Sequence, residues 1–363
     1  MRGSGRELSA LEIEDLAAGA WILGAGGGGN PYHALLNLRA ETARGFRAEV
    51  IPAAALGDED LVAVVSTMGA PLVGEERLPD PEVAARPVRI LAERLGRDFA
   101  AVMSLEIGGA NALQSFMVAA RTGLPVVDAD CMGRAFPEAQ MTTFAIAGLR
   151  NYPFCLADIR DNVVIVERAA SWQWQERLGR VAVTEVGSIA ATAKAPRTGR
   201  EIKDHAVLGS VSRAIRIGAA RRRAKAAGSD PVAAVLASES GLRLFTGKVS
   251  DIARRTTRGF LRGKARISGL GPDRGASLEL HFQNEFAAAF RDGRPVATTP
   301  EILCVVESAT GEALGTEVIA YGQRVEVIAL DVPFALKTPP ALELVGPRAF
   351  GFDLDFRSLF PAS

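Results

Sequence analysis

Residues 99–111, FAAVMSLEIGGAN, decide the fold. Phe99–Leu105 is apolar without alternation, so it reads as a strand buried on both faces. It ends in Glu106, two glycines and Asn111, and from Ala110 a helical pattern runs to Thr122, where Gly123 stops it. Strand, polar glycine turn and helix in that order are half of a βαβ unit. The alternation extends outward: Leu61–Ser66 and Pro125–Val127 are further short strands, and Pro81–Leu95 is a helix. Ser9 and Glu12 stand at capping-box spacing before a helix reaching about Ile22. Asn30 and Pro31 form an N-cap and first-turn pair for a second helix ending before Gly45. Residues 1–168 therefore read as an α/β domain with a parallel or mixed sheet, closing on a hairpin of Phe154–Ile159 and Val163–Arg168.

Residues 169–363 read as a second domain, a helical connector followed by a β-rich part. A polar, aromatic helix starts at Ser171, Val181–Val186 resembles a strand, and Glu201–Ala227 reads as one long helix whose basic end, Arg221 to Lys225, suits a solvated C-terminus. Short β segments follow: LRLFTGKVSDI, GKARISGL, SLELHFQ, EILCVVE, TEVIAYG and RVEVIAL.

Composition narrows the function. The 363 residues suit about two domains of roughly 150 residues. Lys+Arg and Asp+Glu both number 42, which argues against a nucleic-acid binder with a global basic field. The 48% hydrophobic content argues against disorder. Cys131, Cys155 and Cys304 show no CxxC spacing, which fits a reducing compartment. The charged N-terminal stretch lacks a signal peptide's apolar run, and no segment approaches the ~20 apolar residues of a membrane span. The expectation is a soluble cytoplasmic protein that binds neither nucleic acid nor membrane, as a homo-oligomer.

Four stretches bear chemistry. In GAGGGG, Gly24–Gly29, the residues Gly26, Gly27, Gly28 and Gly29 bring backbone N–H groups close to a ligand at a helix N-terminus, although a tight helix junction needs glycine equally. No Gly-Lys-Ser/Thr follows, so this is not a Walker A loop. In EIGGAN, at a strand's carboxyl end, Glu106 is a candidate general base and Asn111 an oxyanion donor or a helix cap. In VVDADCMGRAFPEAQM, Asp128 and Asp130 are two apart, so on an extended strand they share a face and suit an acid/base pair or a cation. Arg134 and Glu138 follow them, while the acids disfavour a Cys131 thiolate. In HFQNE, Gln283, Asn284 and Glu285 can complete a site at the domain boundary, with His281 a lone histidine. A divalent metal is a possible cofactor, its candidate ligands being Asp128, Asp130 and His281.

GAGGGGNPY, EIGGAN, VVDAD followed by GRAFPE and QMTTF, FQNE, and a terminal VGPRAFGFDLDF, in that order, resemble the S-methyl-thiohydantoin desulfurase family, associated with hydantoinase/oxoprolinase-type genes. Cys131 stands where that pattern has glycine. The resemblance spans nearly the whole chain. It implies an N-terminal α/β domain, a β-rich C-terminal domain, and hydrolytic removal of sulfur from a thiohydantoin-like five-membered ring. Under that reading Glu106 or Asp130 is the base; Asp128, Asn111 and Arg134 position the ring, joined by Glu138 and Asn284; and Gly26–Gly29 touch a carboxylate or ring edge. Competing readings are a related cyclic amide or hydantoin ring hydrolase, an ATP-dependent ring-opening enzyme, and a non-catalytic accessory subunit of a hydantoinase-like partner.

Overall fold

The structure, a computed structural model, describes residues 5–70, 73, 74, 76–257 and 259–361. The first sheet assembles around the strand Leu61–Gly69, whose residues 61–66 are all buried, as an apolar run without alternation requires. On one side follow Ala101–Ser104, Val126–Val127 and Glu49–Ile51, all parallel, with Arg6–Glu7 antiparallel at the edge. On the other side Ile189–Ala193 pairs antiparallel and is followed by the hairpin strands Phe154–Ala157 and Val163–Val166. The sheet is mixed, and the chain beyond residue 168 returns to it before building the second half.

Side-chain signals fix the helix ends. Ser9 and Glu12 form the reciprocal capping box of Ala10–Leu23. Asp80 caps Pro81–Leu95, which ends on left-handed Gly96, and Gly123 ends Asn111–Thr122 in the same way. Asn30 Oδ1 accepts from Tyr32 N at 3.0 Å, and the helix runs Tyr32–Ala43, one residue later than expected.

The second sheet is antiparallel with seven strands, in the order Arg294–Thr298, Glu285–Arg291, Ser277–Gln283, Phe260–Gly269, Leu242–Thr257, Arg324–Leu330 and Ile302–Glu307. One face holds a core of Phe245, Leu280, Phe286 and Val327. From the other, Ile302, Cys304, Val306 and Ile328 join the core of the first half. The architecture is an N-terminal α/β domain with a mixed sheet and a β-rich C-terminal domain joined through helices. Among the described residues no helix is long and apolar enough to cross a membrane.

Several expectations are corrected. Val181–Val186 is no strand: the helix Trp172–Glu185 continues through it, burying Gln175, Glu176, Gly179 and Val183 at helical spacing. The long helix is two, Gly199–His205 and Ser210–Ala226, because Val207–Leu208 breaks away to pair with Ala129–Asp130 and Gly209 turns left-handed. TEVIAYG forms turns, whereas alanine-rich EFAAAFR, which has the composition of a helix, forms the strand Glu285–Arg291.

The connector helix Ser210–Ala226 is docked. Arg222 pairs with Asp15 at 2.7 Å, so the basic run is not simply solvated. Gly19 faces the Ala214 backbone and Gly218 faces the Asp15 backbone so closely that a Cβ on either glycine would overlap a carbonyl oxygen. Alanine in an ordinary helix interior gains up to about 1 kcal/mol over glycine. Here Gly19→Ala and Gly218→Ala should each cost about 1–3 kcal/mol, read as a lower denaturant midpoint at unchanged slope.

Candidate active site

The parallel strands Leu61–Gly69 and Ala101–Ser104 end at a cavity of about 210 Å³, the position where open α/β sheets bind ligands. Ser66, Thr67, Leu105 and Glu106 come from those strand ends. Asn111 and Gln114 come from the following helix, Glu176 and Arg180 from Trp172–Glu185, Lys194 from the end of Ile189–Ala193, and Asn284 and Glu285 from a turn of the second sheet. Both halves of the chain therefore build the walls.

Glu106 is 5% exposed. Its Oε1 accepts from Asn111 Nδ2 at 2.5 Å and its Oε2 from Phe136 N at 3.1 Å. Asn111 cannot flip, because its Oδ1 accepts from Thr67 N at 2.7 Å. Burial pushes Glu106 up to about 7; the two hydrogen bonds and Lys194 oppose this, and the charge of Asp130 adds to it. Glu285, 3% exposed, is pushed well above the carboxylate range, first by burial and then by the charge of Glu106, with Arg134 opposing. Its Oε2 makes no hydrogen bond. Burial thus raises both carboxyls that face the cavity, and the charge of Glu106 raises Glu285 further.

The glycine loop explains itself by close approach. Gly26, Gly28 and Gly29 have φ of 89°, 73° and 81°. A Cβ on Gly26 would meet the Phe286 ring, one on Gly27 the Glu285 carboxyl, and one on Gly28 the Gly108 carbonyl. Gly29 O accepts from Ala110 N at 2.9 Å, so the loop is laced to EIGGAN. Gly28 and Gly29 line the cavity, whereas Gly26 and Gly27 seat the second sheet against it.

Of the remaining residues expected at the site, Glu138 and Asn284 line the cavity. Glu138 accepts from Gln140 at 2.5 Å and Gln283 at 3.3 Å; Asn284, at φ 58°, accepts from Leu261 N at 2.8 Å. Asp128 lies outside and accepts from Ser212 N at 3.0 Å and Ser212 Oγ at 2.5 Å, at the start of the connector helix. Asp130 is fully buried outside the lining, and its Oδ2 accepts three backbone N–H groups, from Ile107, Met132 and Gly133. Arg134 also lies outside the lining and ties the halves together, donating to the carbonyls of Ala135, Phe286, Pro300 and Glu301. His281 bonds Glu279 at 2.7 Å on the far sheet, edge-on to Phe290 and Phe352. Asp128, Asp130 and His281 thus do not converge, and among the described residues no group of three or more His, Cys, Asp or Glu could hold a metal ion. The Cys131 thiol is buried, donates to Leu105 O at 2.9 Å, and is pushed well above its ordinary value by burial and Asp130.

Lys194, Glu176 and Arg180 were not expected from the sequence. Glu176 and Arg180 pair at 2.5 Å, with Glu176 Oε2 accepting from Ala139 N at 3.1 Å. Their signal was i, i+4 spacing of opposite charges in an otherwise polar helix. Lys194 is 4% exposed, with its ammonium 4.6 Å from the Phe154 ring centroid. Its signal was compositional: the chain has 36 arginines and only 6 lysines, so a lysine closing a buried strand stands out. Lysine, unlike arginine, readily shifts its pKa on burial.

A comparison with curated proteins finds no match. Among solved structures, the crystal structure of a protein from Chromobacterium violaceum superposes with a TM-score of 0.83 over 98% of this chain and 100% of that one, at 24% identity, a likeness of fold. The family model described as S-Me-THD-like, N-terminal domain matches residues 11–168, and its companion, S-Me-THD-like, C-terminal domain, matches residues 170–359. Two successive models covering almost every residue, in the order the motifs predict, place the chain in the S-Me-THD-like family.

Proposed function

We propose that the protein is a hydrolase that removes sulfur from an S-alkylated thiohydantoin-like ring. The observation that carries this reading is the pair of buried carboxyls, Glu106 and Glu285, facing one cavity from different domains, each raised by its burial. The substrate's reacting carbon bears a C=N bond and a C–S bond. Water adds to that carbon while the Glu106 carboxylate takes one of its protons. The C=N electron pair moves to the ring nitrogen, which becomes N–H by taking, through water, the proton of the newly added hydroxyl as that oxygen forms C=O. The C–S bond breaks in the same step. The thiolate leaves as thiol with the proton of Glu285, which is restored from Glu106 through water. Overall one water is consumed, its oxygen stays on the ring, and its two hydrogens end on nitrogen and sulfur. Asn111 holds Glu106 in place, and the burial of both carboxyls keeps them from being levelled by bulk water.

The purified full chain is expected to release free thiol stoichiometrically with ring carbonyl from a 2-methylthio-imidazolone. Release should fall at least 10-fold in Glu285→Gln, which keeps the shape but has no proton to transfer. No thiol release by the wild-type chain across a panel of ring substituents overturns the reading.

A further inference from the structure

The hydrolysis above makes no use of Lys194, although the residue lines the cavity and is 4% exposed. Each neighbouring charge is otherwise engaged. From the helix Trp172–Glu185, Glu176 is bound to Arg180 and Ala139 N. From the strand end, both oxygens of Glu106 are taken by Asn111 and Phe136. Cys131, near enough for its charge to matter, is a protonated thiol under ordinary conditions. The remaining neighbour is the face of Phe154. Among the described residues the ammonium makes no hydrogen bond and no ion pair. A buried cation held this way is costly unless a ligand supplies its partner.

We propose that Lys194 is a catalytic residue that binds the carbonyl oxygen conjugated to the attacked ring carbon and holds the negative charge that collects there when water adds. This rests on the desulfurising reading and narrows its substrate class. The electron pair displaced from C=N spreads from the ring nitrogen onto an adjacent carbonyl, giving an amidate oxygen that a buried ammonium stabilises strongly. Lys194 keeps its proton throughout. Rings with a carbonyl beside the reacting amidine unit are therefore substrates, and carbonyl-free cyclic isothioureas are not. Burial pushes Lys194 down to about 8, and the charges of Glu176 and Glu106 resist this, so the contribution fades on the alkaline side.

The test compares wild type, Lys194→Met and Lys194→Gln. Calorimetry uses hydantoin, the expected product ring, and a carbonyl-free 2-methylthio-imidazoline; thiol release is followed separately. Lys194→Met should weaken hydantoin binding on the order of 10- to 100-fold and leave the carbonyl-free ring unaffected. It should lower kcat more than it changes KM and erase the alkaline fall near pH 8, while Lys194→Gln, a neutral donor, recovers part of both. Methionine removes a buried charge, so its thermal midpoint should not fall. Should either variant fail to fold, acetylation of wild-type Lys194 by acetic anhydride at pH 8, mapped by mass spectrometry, is expected to be blocked by hydantoin and not by the carbonyl-free ring. Equal hydantoin binding by wild type and Lys194→Met, or acetylation of Lys194 that hydantoin does not slow, overturns the proposal. If hydantoin binding depends on Lys194 while wild type releases no thiol, the anion subsite stands and the hydrolysis falls. If wild type releases thiol and Lys194→Met matches it, the hydrolysis stands and the subsite falls.

Discussion

Glu106→Gln should lower thiol release by about 10²- to 10⁴-fold. Glu106 is the carboxyl that burial tunes to about 7, where a base is both substantially ionised and strong enough to take a proton from water. Because the base must be unprotonated, wild-type kcat/KM should climb nearly tenfold per pH unit well below 7 and flatten above it, until the alkaline fall near pH 8 that follows loss of the Lys194 proton. The glutamine variant should lack the acid limb. Its carboxamide oxygen keeps the bond from Asn111, but its amide N–H is set against Phe136 N, an unpaired contact costing about 1–3 kcal/mol. Loss of a buried charge offsets part of this, so the chain still folds. Stability carries the same signature. Between about 4.5 and about 7 the folded chain keeps a proton on Glu106 that the unfolded chain has released, so wild-type stability declines as pH rises through that window. The full decline from this residue is about 3 kcal/mol, and it should be absent in Glu106→Gln. Thiol release and thermal midpoint measured together from pH 5 to 9 check both. A variant retaining a tenth of wild-type turnover at pH 7.5 would remove Glu106 from the base role.

What the sequence made legible and what it hid follow from the range of the forces involved. The parallel half could be read because its cues are local: unbroken apolar runs at Leu61–Ser66 and Phe99–Leu105, the Ser9–Glu12 capping box, and glycines at helix ends. EIGGAN could be placed at a strand's carboxyl end for the same reason. The strand Glu285–Arg291 escaped notice because its alanines are held in the sheet by neighbours on both sides, a tertiary override of composition. Lys194 and the pairing of Glu285 with Glu106 escaped because they depend on contacts between distant parts of the chain. The polyglycine loop was visible as glycine, but its cause was not: three separate backbones and side chains crowd it, and only one edge faces the cavity. The Asp128–Asp130 reading failed on geometry. Residues two apart share a face only along an extended strand, and here Ala129–Asp130 is a two-residue strand paired with Val207–Leu208. Asp128 turns to the connector helix, while Asp130 folds under the Ile107 and Gly133 loops.

That placement makes opposite predictions for two substitutions at Asp130. A single oxygen, Oδ2, accepts from Ile107 N at 2.9 Å, Met132 N at 3.1 Å and Gly133 N at 2.8 Å, while Oδ1 makes no hydrogen bond. Asp130→Ala strands three buried donors at once, for a loss of roughly 3–6 kcal/mol, a large fraction of the roughly 5–15 kcal/mol that holds a typical domain folded. Ile107 follows Glu106 directly, so the residual folded protein should also lose turnover as the base shifts off its donors. Asp130→Asn behaves otherwise. Its amide oxygen takes the place of Oδ2 and keeps all three bonds, while its nitrogen fills the position where Oδ1 has none. The variant should fold with a midpoint close to wild type and keep turnover within about 10-fold. It also removes a charge that pushes Glu106 upward, so the acid limb of the pH profile should move to lower pH. Had Asp130 been the base, the amide would abolish thiol release and leave no limb to move. Denaturant midpoints and pH–rate profiles of the two variants side by side therefore separate an anchor beneath the site from a group that touches the reacting water, and only the anchor predicts that asparagine is tolerated where alanine is not.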